Sequence, residues 1–217
     1  MDFVNPDIEK YAMAFSSPEP EVLQRLSRDT QAKILKPRML SGHLQGRFLS
    51  FVSRMLKPRR ILEIGTYTGY SAICLAEGLT GDGILHTIDH NAELEDFARV
   101  YFKMAGVDHQ VKQHIGEALD ILPLLDDTFD LVFIDADKPN YIRYFEILYP
   151  RLREGAIVLA DNALWSGKVL DSEESMDDDT AGIARFNRYI REHPGVYHVL
   201  LPFRDGVMLI EKTGKHQ

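Results

Sequence analysis

After Pro58 the chain settles into five short β-branched runs, ILEI (61–64), ILHTID (84–89), QVKQHI (110–115), DLVFID (130–135) and AIVLAD (156–161). The segments between them read as helices that begin near Ser71, Ala92, Glu117 and Asn140. Such a βαβα rhythm constrains the fold strongly, because parallel neighbours can be joined only by crossovers that cover the sheet's faces. Near the end, YHVLLPF and GVMLIE flank Arg204-Asp205-Gly206, a turn signal that predicts a closing antiparallel hairpin. Before Pro58, Ser16-Ser17-Pro18 reads as a helix cap. LQGRFLSFVSRML spaces Leu44, Phe48, Phe51, Val52 and Met55 as one helical face. The expectation is a single α/β domain: N-terminal helices over 1–58, then over 59–217 a Rossmann-like, seven-stranded, mostly parallel sheet with a C-terminal hairpin and helices on both faces.

Two of the strands end abruptly on polar groups. FIDADKPNY brings Asp135 and Asp137 to one strand end, and IVLADN brings Asp161 and Asn162 to another. In an open α/β sheet the carboxyl ends of the strands are where ligands bind. Carboxylate and amide oxygens from two such ends form a hard-cation site suited to Mg²⁺ or Ca²⁺. Asp137 fits a cap or a supporting group better than a ligand. Lys138, three residues beyond Asp135, adds an amine that can serve there as a base.

ILEIGTYTGYS sets Gly65 and Gly69 between the first strand and its helix, where a backbone turns tightly against a ligand. It is not the dinucleotide fingerprint, because Tyr67 occupies the place of the bare central glycine. Glu63 would repel a pyrophosphate but accepts hydrogen bonds from an ammonium or water. Asp89, ending the second strand, is placed for ribose hydroxyls. A nucleoside with a cationic amino-acid tail fits this pattern, and S-adenosylmethionine has that shape.

Composition excludes several alternatives. The chain has 217 residues, 45% of them hydrophobic, enough for a full core. No apolar run approaches the ~20 residues that span a bilayer, and MDFVNPDIEKYAMAF lacks the pattern of a signal peptide. One cysteine, Cys74, fits a reducing cytoplasm and reads as core. Acids outnumber bases 33 to 25, which disfavours a broad grip on nucleic acid. Lys57, Arg59 and Arg60 read as a solvated helix end, and DSEESMDDD (171–179) as a solvated loop that caps a helix. No zinc site is expected, and His43 reads as a helix-surface residue. Trp165, beside Asn162, reads as a pocket wall.

MLSGHLQG (39–46), ILEIGTYTGYSA, IDADKPNY, ADNALWSGKV and LLPFRDGVMLIEK together resemble the cation-dependent O-methyltransferases of the caffeoyl-CoA and catechol type, in particular the bacterial members. The resemblance implies a class I methyltransferase fold and an S-adenosylmethionine site formed by Ser41, Glu63, Gly65, Thr66, Ser71, Asp89, Ala118 and Asp135. It implies Asp135, Asp161 and Asn162 as ligands of a divalent metal, Mg²⁺ first, with Ca²⁺ or Mn²⁺ possible. Lys138, with Asp135, resembles the catalytic pair, and Trp165 and Ser166 lie where substrate is held. A homodimer is implied as well. Plant caffeoyl-CoA enzymes carry Asn at the position of Ser166 and a longer insertion before the last helix. This difference argues against caffeoyl-CoA itself and leaves a small aromatic acceptor with vicinal hydroxyls as the expectation. The competing expectations are a transfer RNA methyltransferase acting on a wobble hydroxyuridine and a non-catalytic nucleoside- or metal-binding protein.

Overall fold

The computed structural model describes residues 5–214. Residues 1–4, part of the start read above for a signal peptide, and residues 215–217 lie outside them. Three helices come first: α1 (Pro6–Ala14), α2 (Glu21–Lys33) and α3 (Gly42–Leu56). The alternating core follows with β1 (Arg60–Ile64), α4 (Tyr70–Ala76), β2 (Ile84–Asp89), α5 (Glu95–Met104), β3 (Val111–Ile115), α6 (Ala118–Ile121), β4 (Phe129–Ile134), α7 (Tyr141–Leu148) and β5 (Leu152–Ala160). It closes with α8 (Asp178–Glu192), β6 (Val196–Leu201) and β7 (Val207–Lys212). The seven strands lie in the order β3-β2-β1-β4-β5-β7-β6. The pairs from β3 to β5 are parallel, and β7 runs antiparallel to both β5 and β6. Six strands therefore point one way, as the βαβα rhythm and hairpin signal predict.

Alternation along each strand sends side chains to two cores. Leu62, Ile64, Val132 and Val158 pack under α7 and α8, where Phe145 and Phe186 are fully buried. Ile61, Leu131, Phe133 and Leu159 face α2 to α5 and meet Leu23, Leu49 and Phe102. The wholly buried α4 makes the third layer tight around β1. No helix among the described residues is long and apolar enough to cross a membrane.

Three expectations are corrected. Ser16-Ser17-Pro18 caps no helix: α2 opens at Glu21 after Pro20, whose fixed φ suits a helix start, and the Ser16 hydroxyl instead donates back to the Ala12 carbonyl at 2.7 Å. In α3 the apolar stripe does not face the core throughout, because Phe51 is 64% and Met55 67% exposed. The buried side is Gln45, Gly46, Leu49, Ser50, Val52 and Ser53, small enough for α4 to approach closely. A Cβ at Gly46 would lie 2.5 Å from the Tyr70 ring. β5 begins at Leu152 rather than Ala156, since its polar start Arg153-Glu154-Gly155 hides a strand whose register slips against β4.

Other local expectations hold in whole or in part. Asp177 caps α8, accepting from the Thr180 amide at 2.8 Å, so the acidic loop does what a solvated cap does. Of the basic cluster read as a solvated helix end, only Lys57 ends α3, in the left-handed region; Arg59 pairs with Asp82, and Arg60, already in β1, is partly buried and pairs with Asp127 at 2.7 Å. Cys74 is fully buried.

Candidate active site

The carboxyl ends of β1, β2, β4 and β5 open into one cavity of about 1050 Å³, roofed by the segment between α2 and α3. Gly65 shows why the loop after β1 has its sequence. Its φ is +106°, and a Cβ there would lie 2.0 Å from the Asp135 carbonyl oxygen, so only glycine lets the ends of β1 and β4 meet. Asp89 ends β2 and braces the same loop. Its Oδ2 accepts from the Tyr67 amide at 2.7 Å and its Oδ1 from the Asn91 amide at 2.9 Å. Each oxygen keeps a further lone pair for a ligand.

The predicted cofactor residues divide into two shells. Ser41, Gly65, Asp89, Ala118 and Asp135 line the cavity. Glu63, Thr66 and Ser71 are buried around it without lining it. Glu63 is fully buried on the α4 side of β1, where burial pushes its pKa up to about 8 against the Ser71 and Thr87 hydroxyls. Thr87 donates to its Oε2 at 2.5 Å, and its Oε1 has no hydrogen-bond partner. The Thr66 hydroxyl bonds that of Thr87 at 2.5 Å, which ties the loop to β2.

The other end of the cavity is built by β4 and β5. Lys138 is nearly buried, and its Nζ donates to Asp135 Oδ1 at 3.1 Å and to the Tyr141 hydroxyl at 3.0 Å. Burial alone would lower its pKa, yet Tyr141 and Asp135 prevail and hold the ammonium above the ordinary lysine range. The Tyr141 hydroxyl also lies 3.3 Å from the carbonyl oxygens of Ile134 and Asp161, so it locks the two strand ends together. Asp161 is buried, and desolvation together with the Asp135 charge pushes its pKa up to about 7. Asn162 takes φ +59°, a conformation asparagine tolerates, and its Nδ2 donates to Asp205 Oδ2 at 3.3 Å, which leaves Oδ1 open to a cation. Asp137 supports the turn, accepting from Asn140 Nδ2 at 2.5 Å and from the Tyr144 hydroxyl.

Trp165 lines the cavity, with Lys138 Nζ 5.5 Å from its ring centre and its own Nε1 buried without a partner. Ser166 is exposed and does not line the cavity; its amide donates to Asp205. Ser166 and Trp165 both have positive φ, which turns one side chain in and the other out. His43 lies outside the main cavity, its Nε2 2.8 Å from the Ser17 carbonyl oxygen.

Sequence reasoning missed Gln45, Tyr141 and Arg204. Gln45 Nε2 donates to Asp161 Oδ2 at 2.6 Å from the buried side of α3, 116 positions away in sequence. A glutamine on the core face of a helix is the signal that finds it, because such a group needs a buried partner.

The donor set fits the groups that the sequence implies. A buried carboxylate, Asp161, whose proton affinity burial and the neighbouring Asp135 charge raise, with the Asn162 amide oxygen alongside, is a donor set that a divalent cation would relieve. The glycine cradle and the cavity-lining Asp89 suit a nucleoside.

The chain matches the O-methyltransferase family profile over residues 13–213. It is 35% identical over 193 residues to a catechol O-methyltransferase from Mycobacterium tuberculosis, covering 88% of this chain and 86% of that protein. It is 32% identical over 211 residues to the caffeoyl-CoA O-methyltransferase of Petroselinum crispum, covering 89% and 85%. The solved structure of the O-methyltransferase TomG from Streptomyces achromogenes, in complex with SAM, superposes with a TM-score of 0.88 at 35% identity, covering 96% of both chains. The chain therefore belongs to the O-methyltransferase family, of the catechol and caffeoyl-CoA type, and has the class I methyltransferase fold.

Proposed function

We propose that this enzyme transfers the methyl group of S-adenosylmethionine to one hydroxyl of a small vicinal-diol arene with the help of a divalent cation, Mg²⁺ foremost. The observation that carries this reading is the convergence of Lys138, Asp135, Asp161 and Asn162 in the same cavity as Gly65 and Asp89. Asp135, Asp161 and Asn162 would hold the cation, and Ser41, Gly65, Asp89 and Ala118 the methyl donor. When bound, the cation lowers a chelated hydroxyl's pKa and the sulfonium supplies the methyl group.

The chain's own residues do the rest. Lys138 Nζ takes the acceptor's proton, and Tyr141 fixes that nitrogen's position. Asp135 is the counter-ion that keeps Lys138 charged, and if it held the cation it would weaken that hold on the amine. Gln45 orients Asp161, and Trp165 gives the ring a flat apolar wall. Holding both reactants at contact distance supplies an effective molarity of ~10⁵–10⁸ M.

The rim mixes Lys36, Arg38 and Arg204 with Glu93, Glu117, Asp137 and Asp179, a pattern that favours a small ligand over a polyanion such as transfer RNA. A homodimer is part of the same reading. α1 buries none of its residues, and Ile8, Tyr11, Phe15, Phe51 and Met55 are exposed apolar surface on α1 and α3 and at the α1 terminus. Light scattering should give twice the 24.8 kDa chain mass. The deciding experiment is transfer from labelled S-adenosylmethionine to catechols, flavonoids and transfer RNA, with Mg²⁺ or EDTA. Catechols should be labelled and EDTA should stop the reaction. Full activity in EDTA removes the cation, and labelling of RNA alone removes the phenolic acceptor.

A further inference from the structure

Three cations in the cavity wall, Lys36, Arg38 and Arg204, have no partner among the described residues, and of these only Arg204 is not fully exposed. Arg204 is half-buried, with no ion pair and no side-chain hydrogen bond among the described residues. Its φ is +50°, a backbone state that glycine adopts freely and arginine only under strain. Strain of this kind persists where surrounding structure or function requires the side chain. The turn that carries it, residues 202–206, is pinned at the acceptor end of the cavity. The amide of Ala163 donates to the Gly206 carbonyl at 2.9 Å, the amide of Leu164 donates to the Asp205 carbonyl at 2.9 Å, and Phe203 packs on Phe48 with ring centres 5.6 Å apart.

The adjacent Asp205 does not neutralise Arg204, because its carboxylate accepts from Asn162 Nδ2 and from the Ser166 amide. Arg204 Nη1 instead sits against the start of α3, 3.2 Å from where a Cβ on Gly42 would be. Arg204 and the exposed Arg38 both line the main cavity and a smaller one of about 370 Å³ beside it. They therefore stand on the wall between the two. The acids Asp135 and Asp161 face the same space from the strand ends, and Asp179 lines it as well.

We propose that Arg204 binds the acceptor and selects, among vicinal-diol arenes, those whose ring bears a carboxylate. This rests on the reading of the cavity as a phenol-methylating site. A planar guanidinium with free N–H groups matches a carboxylate in a forked pair. The acidic strand ends take the diol edge, so the ring's substituent points away from them. A single half-buried guanidinium amid a mixed-charge rim suits one carboxylate better than a polyphosphate.

Trp165, the only tryptophan, lines this cavity and reports binding by its fluorescence. A dihydroxybenzoate and its methyl ester are titrated into enzyme loaded with Mg²⁺ and S-adenosylhomocysteine, using wild type, Arg204→Gly and Arg204→Lys. Methyl transfer to both compounds is measured in parallel. Wild type should bind the acid about 10- to 100-fold more tightly than the ester. Arg204→Gly should bring that ratio near unity and Arg204→Lys should restore part of it. Glycine relieves the strained φ, so thermal melting should show a folded protein. Equal binding of acid and ester by wild type, or an acid preference that survives Arg204→Gly, overturns the assignment. Methylation of both compounds without an Arg204-dependent preference overturns the assignment alone and leaves the methyltransferase reading standing. An Arg204-dependent acid preference with no methyl transfer does the reverse.

Discussion

The two ends of the cavity are built on different principles. The end under β1 and β2 is a braced scaffold, although Glu63 Oε1 lacks a partner and Tyr67 has positive φ: Asp89 holds two backbone amides, Thr66 and Thr87 bond each other, and Gly65 fills a space that admits no side chain. The end under β4 and β5 concentrates strain and unpaired groups. Asn162, Trp165, Ser166 and Arg204 all have positive φ, Trp165 Nε1 is orphaned, and two carboxylates crowd one another. A scaffold without freedom suits a ligand that never changes. A strained and incompletely satisfied end stores the interactions that the proposed acceptor and cation would complete.

This contrast can be broken by substitution. Lys138→Ala should lower kcat by about 10²–10⁴ while leaving donor affinity near that of wild type, read by turnover and by calorimetric titration of the donor. Equal losses in both would merge the two ends into one unit. Gly65→Ala forces a Cβ toward the Asp135 carbonyl and a strained φ, and should cost about 2–4 kcal/mol in urea unfolding. An unchanged midpoint would refute the close approach of β1 and β4.

Glu63→Gln should act in the opposite sense. The Glu63 carboxyl has a folded pKa of about 8 against an ordinary value of 4.5, so the fold favours its neutral form. Its contribution is fully present below the unfolded pKa and is lost as pH rises from about 4.5 to about 8. Glutamine mimics the neutral form, so the ligand-free variant should gain about 1–3 kcal/mol at pH 8 and little at pH 4. A variant less stable than wild type at pH 8 would mean that Glu63 is ionised in the fold. Smallest of all, Ser166→Ala should change stability by less than ~0.5 kcal/mol and kcat/KM little, because the side chain is exposed and outside the cavity. A large loss of kcat/KM would return Ser166 to the acceptor site.

Much of this was legible from the chain alone, for definable reasons. The parallel strands carry unbroken apolar runs because both faces are covered, so their number and their acidic ends could be read directly. Asp135, Asp161 and Lys138 fall at strand ends that local pattern locates. Gln45 was not legible, since its partner Asp161 is distant in sequence and only the packing of α3 on α4 brings them together. Phe51 and Met55 misled because period alone cannot say which face of α3 meets the core, and the small residues opposite permit closer packing. Ser166 and Trp165 are neighbours in sequence with similar positive φ, and only the folded loop shows that Trp165 lines the cavity while Ser166 does not. Arg204 read as turn punctuation because the signal Arg-Asp-Gly fits a hairpin whatever the side chain reaches.

The reversed strand β7 has a bearing on how such enzymes diversify. Because β6 runs with the parallel strands and β7 returns, the connection at 202–206 emerges on the same rim as the ends of β4 and β5. A hairpin loop tolerates exchange and insertion far better than a crossover that must cover a core. Changes in the loop at 202–206 can therefore alter this end of the cavity while leaving the β1 and β2 end untouched. Laboratory evolution aimed at a new phenol has its shortest route there.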